Sequence, residues 1–216
     1  VEAEARVAPV VGRGDWGALA VAMPRLDHLT ASERAVLAEH WTRLGQLEHA
    51  SIAAFARFSL QLLSLGAPPE LVEACTRALG DETAHTRLCF RLASAYAGRD
   101  IGPGPLDVSG SLEVTSLADI VDLVIAEGCF GETSAALDAL DAADSASDPV
   151  IAAAYAQIAA DEQRHAELAF QFVRWALGRA PHSIALRVSA AISAPPSAEP
   201  GVSSVAVPCL QALLAA

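Results

Sequence analysis

Apolar side chains recur at three- and four-residue intervals from Val36 through Leu37, Trp41, Leu44, Leu47, Ile52, Phe55 and Leu62 to Leu63. That period is one face of an α-helix. Thr30 followed by Glu33 makes a capping box, and Gly66 ends the pattern, so the spacing predicts a first helix over 31–65. After Pro68 and Pro69 the same period runs through Leu71, Ala78, Leu79, Leu88 and Leu92 to Gly98. Residues 99–115 hold three glycines and two prolines and read as the longest loop. Ser116 with Asp119 caps a third helix to about Ala143, and Asp148-Pro149 opens a fourth that closes at Gly178. A shorter fifth helix is expected from Pro181 to about Ile192.

Alternating β-branched residues never persist, so the fold class is all-α. Four long helices with a long second connection imply a four-helix bundle with one crossover connection and a short fifth helix. Flanking it, residues 1–29 read as an irregular arm and 194–216 as a Pro/Ser-rich tail, leaving 30–193 as the helical domain.

Composition narrows the partners. The chain has 216 residues, of which 53 % are hydrophobic, and carries a net charge of −12, which disfavours nucleic acid. All fourteen basic residues are Arg, a bias expected of a GC-rich, bacterial source. The four cysteines form no C-x-x-C pair, against a zinc ribbon or a thioredoxin-type site. No apolar run reaches a membrane span, so a soluble protein is expected. Its compartment is expected to be cytoplasmic, with an exported form as the alternative because the chain starts at Val1.

Chemistry concentrates in two copies of one motif. Asp81-Glu82-Thr83-Ala84-His85 lies in the second helix and Asp161-Glu162-Gln163-Arg164-His165 in the fourth. A spacing of three puts Glu and His one turn apart on one face, where both reach a single metal. Random placement of this composition yields roughly 0.4 E-x-x-H. Stepping back from each motif by 34 and 35 residues reaches Glu48 and Glu127, each in the middle of the preceding helix. A mid-helix carboxylate among apolar neighbours is expensive unless paired or metal-bound.

These motifs resemble the ferritin-like di-iron carboxylate proteins, which place Glu, E-x-x-H, Glu and E-x-x-H on four successive helices. The resemblance spans about residues 31–178 and implies Glu48, Glu82, His85, Glu127, Glu162 and His165 as metal ligands and catalytic centre. It implies two iron ions, with manganese compatible with the same ligand types. Four carboxylates would offset two divalent cations, leaving about −8 outside the centre. The D-E-x-x-H form is similar to bacterial multicomponent monooxygenases. Asp81 and Asp161 are expected to accept hydrogen bonds from the distal N–H of a ligand histidine on the opposite motif helix, with an exposed surface position as the alternative.

Members of the family differ at marker positions. Thr83 stands where bacterioferritins carry their haem methionine, and Phe130 where rubrerythrins carry an extra glutamate. Cys89 stands at the radical tyrosine of ribonucleotide reductase, as in methane monooxygenase, and Gly131 at the monooxygenase threonine. Glu132, about 140° around an α-helix from Glu127, reads as a surface or supporting residue rather than a ligand. Trp41, Tyr155 and Cys89 read as core residues near the ligand face, and His49 as a packed histidine.

The function expected is therefore a non-haem di-iron oxidoreductase using O₂ or peroxide on a small substrate, with an external electron donor and a possible homo-oligomeric state. The alternatives are a ferroxidase that stores or delivers iron, and a metal-stabilised bundle without turnover.

Overall fold

The computed structural model describes residues 6–18, 22–197 and 199–216, and it is mostly helical. Helix α1 (Ala31–Ser64) begins at the capping box, with both Thr30 and Glu33 bonds formed, and α2 (Pro69–Ala97) ends at Gly98 in the left-handed conformation, φ 65°. Only a residue without Cβ takes that turn at no steric cost. The third segment is not one regular helix. It comprises α3 (Leu117–Leu123), a π-helix (Val124–Glu132) and α4 (Thr133–Ser145). Helices α5 (Pro149–Arg179) and α6 (Pro181–Ser193) follow. The described arm is irregular apart from β1 (Val10–Val11), which pairs antiparallel with β2 (Gly102–Pro103) in the crossover loop.

The final segment differs from its reading as a tail. Residues Pro200–Ala215 form helix α7, and Val202, Ala206 and Leu210 are at most 1 % exposed in the core. Their spacing of four makes one apolar stripe; Pro200 sits at the helix start, where it costs little, whereas Pro208 lies inside the helix on its solvent side and breaks a backbone hydrogen bond there.

Helix α1 packs along α2, while α5 packs along the π-helix and α4 and also touches α2. The core is layered around charge. One apolar layer holds Phe55, Phe58, Ala78, Leu168 and Phe172; the other holds Trp41, Cys89, Phe90, Tyr96 and Ala154. On each of α1, α2 and α5 the motif carboxylates fall between these two layers. Among the described residues no helix is long and apolar enough to cross a membrane.

Candidate metal centre

Between the apolar layers, α1 contributes Glu48, α2 contributes Glu82 and His85, and α5 contributes Glu162 and His165. All five residues are between 1 % and 7 % exposed. Ligand-type atoms of Glu48, Glu82, His85 and Glu162 lie within 4.8 Å of one another, as do those of Glu82, Glu132, Glu162 and His165. Glu82 and Glu162 belong to both groups. The arrangement is two four-donor sites, each of three carboxylates and one imidazole, sharing two carboxylates.

Each histidine turns Nδ1 inward. His85 Nδ1 lies 3.3 Å from both Glu48 and Glu162, and His165 Nδ1 lies 3.1 Å from Glu82 and 3.2 Å from Glu162. Outward, His85 Nε2 meets Asp161 at 2.9 Å and His165 Nε2 meets Asp81 at 3.4 Å. Each aspartate thus holds the histidine of the opposite motif helix. A carboxylate only accepts, so Nε2 carries a proton and Nδ1 is the nitrogen turned to the centre, the one that would give up its own proton to bind a metal. Gln157 donates to Asp161, and Arg164 pairs with both Asp161 and Asp81, tying the two braces together.

Glu127 is not brought into this cluster. Its side chain is half exposed and pairs with Arg57 of α1, while Glu132, with its side chain 17 % exposed, takes the corresponding place 3.9 Å from His165 Nδ1. The π-helix is the physical reason. Its hydrogen bonds close over five residues rather than four, so Glu132 comes round to the side of Glu127 instead of the 140° of a regular helix. Gly128 permits this close approach to α5, because a Cβ there would stand 2.5 Å from the Ala169 Cβ. The available signal was the pair of glycines in the run E-G-C-F-G-E, which weakens a regular helix between two glutamates five residues apart.

The electrostatics are those of carboxylates and imidazoles crowded together in a buried site. Burial pushes the Glu82 carboxyl well above the usual range, and the neighbouring Glu162 and Glu48 push it further. Burial likewise raises Glu132, next to Glu162. Burial opposes ionisation of Glu162 too, but the hydrogen bond with His165 and the nearby His85 imidazole overrule it and hold its pKa low. His85 rises to about 11: burial disfavours its charge, yet Glu162 and Glu48 outweigh that. Two buried atoms in the cluster, Glu82 Oε2 and His85 Nδ1, have no hydrogen-bond partner. Orphaned donor-type atoms converging in a dry site fit a cation, and four carboxylates match two divalent ions in charge.

The remaining candidates take supporting places. Trp41 and Tyr155 stack at 4.9 Å, and Tyr155 Oη lies 2.5 Å from His40 Nε2. Cys89 is fully buried, and burial together with Glu48 and Glu82 keeps its thiol protonated. His49 packs edge-on against Trp16. No protein-family model, curated protein or solved structure matches the chain significantly.

Proposed function

We propose that the chain is a non-haem di-iron oxidoreductase of the ferritin-like kind, with Glu48, Glu82, His85 and Glu162 holding one ion and Glu82, Glu132, Glu162 and His165 the other. One observation carries the reading: two four-donor groups share Glu82 and Glu162, so the same two carboxylates would be available to both ions. Bound iron would supply activation of O₂ or peroxide and electron transfer to or from a substrate.

The chain's own residues account for the rest. A cation bound here would displace the protons that burial keeps on Glu82 and Glu132. Asp81 and Asp161 fix the histidine tautomers and keep each Nδ1 aimed inward. The apolar layers of Phe55 and Leu168 on one side and Trp41 and Phe90 on the other exclude bulk water. A cavity of about 640 Å³ reaches Glu132 and His165, which favours turnover of an organic substrate over storage of iron.

The test is anaerobic loading with Fe(II), then oxygen. Oxygen uptake with growth of near-ultraviolet oxo-bridged di-ferric absorption, lost in Glu82→Ala and His165→Ala, is the expected result. Iron binding without oxygen uptake would leave a structural metal site. Large hollow assemblies that accumulate many irons per chain would point to storage instead.

A further inference from the structure

The cavity beside the centre has its own chemistry. Phe55, Phe58, Leu168 and Ala169 give it an apolar wall, and its volume of about 640 Å³ lies within the range of small-molecule sites. Phe55 packs against the His165 ring at 5.0 Å, so the apolar wall runs directly to the metal ligands.

Charge in the wall is unevenly committed. Glu132 belongs to the centre, and Glu127 is already neutralised by Arg57. Arg6 and Asp107 are exposed and sit 4.0 Å apart. Arg57 is the exception. A guanidinium carries five N–H donors in a planar fork. Among the described residues it spends Nη2 on Glu127 and gives Nη1 to no protein acceptor, while its Nε is sealed in the protein. It is a mostly buried cation with donors to spare, beside the apolar stretch of Phe55, Phe58 and Leu168.

We propose that this cavity binds an apolar carboxylic acid, with its hydrocarbon body along Phe55, Phe58 and Leu168 and its carboxylate on Arg57, presenting carbon to the Glu132 and His165 side of the centre. A fork of donors matches a carboxylate geometrically, and the apolar wall excludes the water that would compete with it. An amine finds no free anion, because each carboxylate in the wall is committed to Arg57 or the centre or is solvated with Arg6. An alcohol gains the hydrocarbon contacts without the charge. The inference rests on the oxidoreductase reading for its consequence, but binding itself requires no turnover.

Calorimetric titration of the iron-loaded, anaerobic full chain with octanoate, octan-1-ol, octylamine and acetate tests it. Octanoate is expected to bind about tenfold or more tighter than octan-1-ol. Arg57→Leu should abolish that preference and leave octan-1-ol binding as it was. Gly131→Phe should remove octanoate binding with the helical spectrum retained, since Gly131 lines the cavity and a Cβ there meets only the Ala126 carbonyl, at 3.5 Å. Equal or tighter binding of octan-1-ol, octylamine or acetate would overturn the proposal, as would octanoate affinity unchanged by Arg57→Leu. Octanoate bound as expected by a protein that never consumes oxygen would sustain the acid site and refute the oxidoreductase reading. Oxygen uptake without octanoate binding would do the reverse.

Discussion

His85 Nε2 lies 2.9 Å from the Asp161 carboxylate, which leaves its Nδ1 facing Glu48 and Glu162. The histidine is therefore oriented from outside the centre, by a residue of the opposite helix. Removing the acceptor frees the ring to rotate and to change tautomer. Asp161→Ala is expected to weaken metal binding about 10–100-fold, measured by competition with a chelator. Asp81→Ala should cost less, because its contact to His165 is longer, 3.4 Å, and 30 % of the Asp81 side chain is exposed.

Metal binding should release protons. In the metal-free protein burial and neighbouring carboxylates raise Glu82, and His85 is raised to about 11, so these groups hold protons that a cation must displace. Affinity for Fe(II) is accordingly expected to fall as pH is lowered, and calorimetry in buffers of different ionisation enthalpy should read net proton release at pH 7. The same shift has a stability consequence. A histidine whose folded pKa exceeds its unfolded value of about 6.5 stabilises most below that pH and loses the contribution as pH rises toward 11. The metal-free melting temperature should fall between pH 7 and 10, and the metal-loaded one should fall less.

Gly128 is expected to be intolerant of even a methyl group. A Cβ at this position would stand 2.5 Å from the Ala169 Cβ, so Gly128→Ala must push the π-helix away from α5. The expected loss is about 1–3 kcal/mol in urea unfolding, with Ala169→Gly in the same background recovering part of it. Glu132 rides on that segment, so the variant should also weaken one of the two metal sites.

The last helix should matter to stability. Leu210 is fully buried against the core, and Leu210→Ala is expected to cost about 2–5 kcal/mol by chemical denaturation. A dispensable tail would show no change.

Local chemistry made much of the fold readable. Thr30 with Glu33, Gly98, and Asp148-Pro149 are caps whose physics is complete within a few residues, and the helix ends they mark fall where they were expected. The two D-E-x-x-H motifs were equally legible, because i,i+3 spacing in a regular helix puts Glu and His on one face. Glu132 was not. Its place depends on a π-helix, which brings Gly128 close against Ala169, and extrapolating 100° per residue through that stretch points to Glu127 instead. Helix α7 was hidden for a different reason: the local weight of Pro and Ser outweighed the Val202, Ala206, Leu210 stripe, whose value appears only once the core is there to bury it.

The central claim is a two-metal centre completed by Glu132, and counting iron per chain tests it most directly. Protein loaded anaerobically with Fe(II), desalted and analysed for metal should hold two irons in the wild type and in Glu127→Gln, but about one in Glu132→Gln. Two irons retained by Glu132→Gln together with loss in Glu127→Gln would return the ligand role to Glu127. A wild-type chain that holds no iron would contradict the centre altogether.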